Sequence, residues 1–149
     1  MALSQNQIYL LKLLDLANKI ECKTKVQKLI FLAEVEEKAP LTYNFERYHY
    51  GPFSFELSDD LNALKQTGFI EEKQVIIGSS EGFPIVKSTF NLTEDGKREI
   101  AKNEDKINHE AVNSINSIVK KWNDVPLEEV LNYVYSKYIT DNRELATTK

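Results

Sequence analysis

Apolar residues recur every three to four positions through the first forty residues, which predicts two amphipathic helices. The first helix is predicted over residues 5–20, where Ser4 and Gln7 have the spacing of a capping box. Thr24 is a suitable N-cap for the second helix, which Pro40 ends. The inward positions are Leu10, Leu13, Leu14 and Ala17 in the first helix, and Val26, Leu29, Ile30 and Ala33 in the second.

The pattern changes to alternation between residues 45 and 50, which predicts a short strand rich in aromatic side chains. Gly51 and Pro52 then indicate a turn, and Ser54 is a suitable N-cap for a third helix. Thr67 and Gly68 are typical of a helix end. The inward positions of this third helix are Leu57, Leu61 and Leu64.

A β-hairpin is predicted next, with strands at residues 69–77 and 85–92 and a loose tip formed by GSSEGFP. Thr93 caps a helix that continues along an apolar stripe to Trp122, and Pro126 begins a final helix. The stripes of these two C-terminal helices consist of Ile107, Ala111, Ile115, Ile118 and Trp122, then Leu127, Val130, Leu131 and Val134. They can pack on the first helix or form the seam of a homodimer.

The order of these elements predicts an α+β fold, mostly α, with a winged-helix-like core. Three helices, a short strand and a β-hairpin wing make up this core, and the two C-terminal helices follow it. In this interpretation the third helix is the recognition helix, and the strand at residues 45–50 pairs with the wing. A single domain is expected over residues 1–140, followed by a polar tail at residues 141–149.

Four segments in order resemble the YwgA-like proteins and the related Panacea (SocA-antitoxin-like) domains. They are KVQKLIFLAEV, FERYHYGPFSFEL, LNALKQTGFIEE and FNLTEDGKREI, and LEEVLNYVYSKY resembles the end of YwgA-like chains. The resemblance covers roughly residues 23–140 and implies an α-rich, winged-helix-like fold. Panacea domains often act as antitoxins and some as proteolysis adaptors, so the resemblance implies a protein partner, with a toxin as one candidate, and implies no catalytic site.

Composition narrows the possible functions. The net charge of −4 and the pI near 5.3 argue mildly against a dedicated nucleic-acid binder. With one cysteine, Cys22, no intrachain disulfide can form, so a cytoplasmic location is expected. No apolar run is long enough to suggest a membrane span. Neither the cysteine nor the two histidines have the spacing of a metal site or a nucleophile motif, so no metal, cofactor or catalytic residue is predicted.

The aromatic residues around the Gly-Pro turn have three possible roles. They can pack in the core and the turn, bind a partner protein, or stack on nucleic-acid bases. The predicted third helix beside them is acidic, and its carboxylates would be repelled by DNA phosphates. The candidate partner-binding residues are therefore Tyr48, Tyr50, Phe53, Phe55, Glu56, Asp59 and Asp60.

Basic residues cluster in three places, the third being Lys120-Lys121, and such clusters could contact an acidic protein or a nucleic-acid backbone. The candidates are Lys19, Lys23, Lys25 and Lys28 between the first two helices, and Lys97 and Arg98 after the hairpin. Our leading hypothesis is a non-enzymatic module that binds a protein through the aromatic turn and the face of the third helix. A winged-helix DNA-binding regulator is the alternative, and an uncharacterised enzyme is the least favoured possibility.

Overall fold

The chain is mixed α+β and mostly helical in the computed structural model, which describes residues 2–48 and 51–139. The helices are α1 (Gln5–Ala17), α2 (Lys23–Glu36), α3 (Phe55–Gln66), α4 (Glu94–Lys102), α5 (His109–Trp122) and α6 (Leu127–Val134). The strands are β1 (Ile20–Glu21), β2 (Glu46–Tyr48), β3 (Gly51–Phe53), β4 (Ile70–Ser80) and β5 (Phe83–Leu92). A short 3₁₀ helix lies at Glu104–Lys106, and a π-helical turn follows α6 at Tyr135–Ile139.

Local capping explains where most helices begin. The Ser4 hydroxyl accepts a hydrogen bond from the Gln7 amide at 3.1 Å, which completes the predicted capping box of α1. The predicted caps of α3 and α4 are also confirmed, because Ser54 Oγ accepts from the Leu57 amide and Thr93 Oγ1 from the Gly96 amide. The prediction for α2 is wrong. This helix begins before Thr24, and its N-cap is Cys22 at a φ of 65°.

The main sheet has the strand order β1-β5-β4 and is antiparallel throughout. β1 was not predicted, and it pairs with β5 through Ile20 opposite Phe90. The aromatic strand β2 does not join this sheet, so the prediction that it pairs with the hairpin is wrong. It pairs with β3 in a separate two-stranded sheet, with Tyr48 opposite Gly51 and Arg47 opposite Pro52. Gly51 and Pro52 are therefore strand residues, and the prediction that they form a turn is wrong.

The β4–β5 hairpin is longer and tighter than predicted. β4 extends to Ser80 and β5 begins at Phe83, so much of the expected loop is strand. Glu81 and Gly82 connect the strands and both have positive φ values, 54° and 83°, as a tight two-residue hairpin turn requires. The prediction of a loose tip is therefore wrong. A β-bulge shifts the register between Ile76 and Gly78.

The C-terminal helices belong to the core of the chain. The structure has three helices here, α4, α5 and α6, because residues 103–108 separate α4 from α5. The prediction of two C-terminal helices is therefore wrong. α5 packs against α1 and α2, and α6 packs against α2. Ile115, Ile118, Val130 and Val134 are buried between them. Their apolar faces are covered within the chain, so the alternative of a homodimer seam through these helices is not supported.

One carboxylate joins the end of α2 to the end of the described chain. Glu36 Oε2 accepts hydrogen bonds from the Tyr133 hydroxyl, from the Tyr138 hydroxyl at 2.8 Å, and from Lys137 Nζ at 3.0 Å. These contacts hold the π-helical turn against α2. Residues 140–149, which include the predicted polar tail, lie outside the described residues. No helix of the described segments has the length and apolar character that crossing a bilayer requires.

Candidate protein-interaction site

Three of the predicted partner-binding residues form one group on the surface, named here the aromatic cluster. The ring centroids of Tyr48 and Phe53 are 5.2 Å apart, those of Tyr48 and Phe55 5.6 Å, and those of Phe53 and Phe55 4.9 Å. Tyr48 is 46% exposed and Phe55 is 50% exposed. The fourth aromatic candidate, Tyr50, lies outside the described residues. The cluster therefore presents aromatic surface to solvent while its rings contact one another.

The backbone that carries the aromatic cluster is held by two buried side chains of α2. The Gln27 amide group accepts from the Ser54 amide N–H at 2.9 Å and donates to the Ser54 carbonyl at 2.9 Å. Lys28 Nζ donates to the Pro52 carbonyl at 2.8 Å. Because all three bonds reach backbone groups of β3 and the start of α3, they fix the position of the cluster relative to α2.

Gln27 and Lys28 were not predicted to belong to this site. Both are buried, and burial lowers the pKa of the Lys28 amine to about 8, against a smaller opposing effect of Cys22. Helical periodicity predicts only that a residue faces inward and does not identify its partner. The hydrogen bonds join the segment KVQKLIFLAEV to Pro52 and Ser54, more than twenty residues later in the chain.

Two of the three acidic candidates hold the loop that leads into β2. Glu56 Oε1 accepts from the Asn44 amide at 3.0 Å. Asp60 accepts from the Tyr43 hydroxyl at 2.7 Å and from Gln7 Nε2 at 3.1 Å. Asp59 lies between them in sequence and is exposed. The helix face beside the aromatic cluster therefore combines structural carboxylates with an exposed one.

A third carboxylate, Glu34 of α2, holds the same loop from beneath. Its Oε1 accepts from the Tyr43 amide at 3.1 Å. Burial raises the pKa of Glu34 to about 7, the Tyr43 N–H partly opposes this rise, and the nearby Glu56 charge adds to it. The loop before the aromatic cluster is thus bound to a carboxyl group that titrates near neutral pH.

Replacing Glu34 by Gln is expected to raise the free energy of unfolding relative to that of the parent protein, by an amount that grows as the pH rises. The folded pKa is about 7 and the reference value is 4.5, so the folded state binds more protons between these values. Stability contributed by neutral Glu34 is therefore present below about pH 4.5 and is lost as the pH rises towards 7. Glutamine keeps an oxygen acceptor for the Tyr43 amide and cannot ionise. Urea unfolding of both proteins from pH 5 to pH 8 measures the difference, and parallel stability curves would contradict the assignment.

The predicted four-lysine cluster is not one exposed patch. Lys25 and Lys28 are 4% and 1% exposed, because the amine of Lys25 donates to the Asn123 carbonyl at 2.7 Å and that of Lys28 to Pro52. The prediction that these two lysines face a nucleic acid is therefore wrong. Lys19 and Lys23 are exposed.

Two of the predicted basic residues do meet in space. Lys19 and Lys97 line an open polar cavity of about 510 Å³, together with Lys73 of β4. Asp15 and Glu94 line the same cavity, and Lys97 Nζ lies 3.5 Å from Glu94 Oε2. The cavity is therefore lined by both basic and acidic side chains.

Arg98 and the outer part of the hairpin, residues 74–86, add little positive potential to the surface. Arg98 forms an ion pair with Asp95 within α4. The hairpin residues 74–86 contain no lysine or arginine, and Glu81 is their one charged residue. A hairpin that inserts beside a DNA backbone would be expected to carry cations for the phosphates.

Across residues 2–48 and 51–139, no group of three or more His, Cys, Asp or Glu side chains could hold a metal ion. Cys22 occupies the N-cap position of α2, where its side chain makes no capping hydrogen bond, and it is partly buried.

No protein-family model matches this chain, and no curated protein is significantly similar to it. The resemblance to YwgA-like and Panacea domains therefore stays a prediction from the sequence, and function must be inferred from the geometry.

Proposed function

We propose that the protein is a non-enzymatic interaction module that binds another protein through the aromatic cluster and the adjoining face of α3. The observation that carries this proposal is the half exposure of Tyr48 and Phe55 at the centre of three contacting rings. Tyrosine and phenylalanine are enriched in the cores of protein interfaces, where burying an aromatic ring contributes a large share of the binding energy.

The rigid support of the aromatic cluster favours a role in binding a partner over the alternative that its rings are exposed without a function. Gln27 and Lys28 hold the backbone on which the rings stand, so little conformational freedom remains to be lost when a partner docks. Asp59 lies exposed on the adjoining helix face. A partner with an apolar centre and a basic rim would complement this surface.

We further propose that α1 to α3 and the β4–β5 hairpin form a winged-helix-like body that does not read DNA. The order of three helices followed by a hairpin supports this classification. The acidic α3, and the absence of cations from residues 74–86, favour a protein partner over a nucleic acid. An antitoxin or adaptor role is proposed from the resemblance to Panacea domains, with a toxin as the candidate partner.

Replacing Phe55 by Ser is expected to weaken capture of the partner about tenfold or more, because hot-spot aromatic residues typically contribute 2 kcal/mol or more at an interface. The measurement is a quantitative pull-down with purified bait from an extract of the source organism. Val35→Ser is the matched control, since Val35 is also exposed (40%) but lies on α2 outside the cluster. Equal recovery with both variants, or no stoichiometric partner with the parent, would contradict the proposal.

The DNA-binding alternative rests on the cavity that Lys19, Lys73 and Lys97 share. It predicts an affinity for duplex DNA that falls steeply with salt and that is lost when these lysines become alanine. Fluorescence anisotropy of labelled mixed-sequence duplex at low and physiological salt tests it. We expect no binding at either salt concentration, and salt-sensitive binding would place the alternative first.

A further inference from the structure

The outer part of the β4–β5 hairpin carries most of the exposed large apolar side chains among the described residues. This segment, residues 74–86, is named here the distal hairpin. Its exposed apolar residues are Val75 (51%), Ile76 (71%), Ile77 (60%), Phe83 (71%), Ile85 (44%) and Val86 (48%). Together they expose an area on the order of 600 Å², taking about 200 Å² for a fully exposed side chain of this size. Exposed apolar side chains concentrated in one segment in this way commonly mark an interaction surface.

Both faces of the distal hairpin are apolar, which limits what can cover it. Ile76 lies directly opposite Val86 in the ladder, and Val75 lies opposite Lys87. Since successive residues of a strand point to opposite faces, Val75 and Ile76 lie on different faces. A flat partner laid on one face would leave the other exposed. Pairing a new strand along the edge gives apolar neighbours to side chains on both faces at once.

The two edges of the distal hairpin are protected unequally. β1 pairs with β5 only at Phe90 and Thr89, so both edges of residues 74–86 lack a partner strand in the described chain. On β5 this edge carries Pro84 and Lys87, two residue types that prevent strand addition. Residues 75–80 of β4 contain neither a proline nor a charge. Within residues 75–80 of that edge, the protective device in the described structure is the bulge after Ile76, and Lys73 lies just before this segment.

We propose that the β4 edge pairs with the β4 edge of a second copy of this chain, antiparallel about a two-fold axis that passes through Val75. This arrangement places Val75 of each copy opposite Val75 of the other and Ile76 opposite Gln74, with Ile77 as the extra residue of the bulge. It also places residues 71–73, which are charged, opposite residues 78–80, which are uncharged, so no like charges meet. The two sheets then form one six-stranded sheet, and the interface is self-complementary, as a two-fold dimer requires.

The charge pattern also favours a second copy over an unrelated strand. In β4 the charged residues 71–73 precede the uncharged residues 75–80. Antiparallel self-pairing places the charged segment of each copy opposite the uncharged segment of the other. The proposal is independent of the partner proposed for the aromatic cluster, which lies on β2, β3 and α3.

Sedimentation velocity from micromolar to submillimolar concentration tests this pairing. The parent is expected to move from monomer to dimer, and Ile76→Lys to raise the dissociation constant about tenfold or more by placing a cation on each side of the axis. Val35→Lys adds the same charge to α2, where Val35 is 40% exposed, and should dimerise like the parent. A parent that stays monomeric throughout, or equal association of the two variants, would overturn the proposal.

Amide hydrogen exchange identifies the edge that pairs. In the dimer the amides of residues 74–77 should exchange more slowly than in the dilute protein, while those of residues 83–87 keep their rates. Slowing confined to β5, or to the aromatic cluster, would overturn the assignment to β4.

Ile76→Lys should still capture the partner of the aromatic cluster, whereas Phe55→Ser should still dimerise, so failure of either proposal can be recognised separately.

Discussion

Replacing Gly96 by Ala is expected to destabilise the protein by about 3 kcal/mol or more. Gly96 is buried in the first turn of α4, and a Cβ atom there would lie 2.2 Å from the Phe69 carbonyl oxygen. The same oxygen accepts a hydrogen bond from the Thr93 amide at 3.1 Å, so it cannot move away without breaking the start of the helix. The methyl group would also crowd the Leu92 side chain at 3.1 Å.

Urea unfolding monitored by Trp122 fluorescence measures this loss, and Gly78→Ala is the matched control. A Cβ atom at Gly78 meets no atom within 4 Å, and Gly78 does not have a positive φ. The control is expected to change stability by no more than about 0.5 kcal/mol, as surface substitutions usually do. If both glycine variants unfold at the same urea concentration as the parent, the close approach of α4 to the Phe69 backbone is wrong.

Replacing Gln27 by Leu is expected to cost about 3 kcal/mol of stability and to abolish partner capture. Leucine has a similar volume but would leave the N–H of Ser54 without a partner, and Ser54 is fully buried. It would also remove one of the two hydrogen bonds that the Ser54 C=O accepts, the other being from the Ser58 amide at 3.1 Å. Each buried polar group without a partner costs about 1–3 kcal/mol. The start of α3 would then shift, and Phe55 of the aromatic cluster would shift with it.

Gln66→Leu makes the same chemical change at an exposed position of α3 and serves as the control. It should leave both the urea midpoint and partner capture close to those of the parent. The amides of residues 52–54 should exchange faster in Gln27→Leu than in either of the other proteins. Unchanged exchange there, together with parent-like stability, would show that Gln27 does not hold this segment.

Local signals in the sequence predicted the elements that depend on neighbouring residues. The caps Ser4, Ser54 and Thr93 act within three residues of their partners, so their spacing was sufficient. β1 could not be predicted because two residues have no period and are a strand only through pairing with β5. The tip of the hairpin was misjudged because its many turn-forming residues obscured the two, Glu81 and Gly82, that make the turn.

The candidate site was predicted only in its exposed half. The aromatic residues and carboxylates of residues 48–60 stand out by composition, whereas their support comes from α2, more than twenty residues away in sequence. Lysine side chains are usually solvated, which is why the sequence predicts Lys25 and Lys28 at a surface. In the structure both amines instead donate to backbone carbonyl groups that are distant in sequence. Which backbone carbonyl a buried amine will meet depends on tertiary packing, and periodicity carries no information about it.

The bonds made by α2 also set the time at which the protein can finish folding on a ribosome. Lys25 meets Asn123, 98 positions later in the chain, and Glu36 meets Tyr138, 102 positions later. At about 5–20 residues per second, a ribosome needs on the order of 5–20 s to supply those partners after α2 has been made. Throughout that interval a charged amine and a carboxylate of α2 must stay hydrated, so the nascent chain cannot close its core early. A transcript truncated before Asn123 would release a product that chaperones and proteases should treat as unfolded.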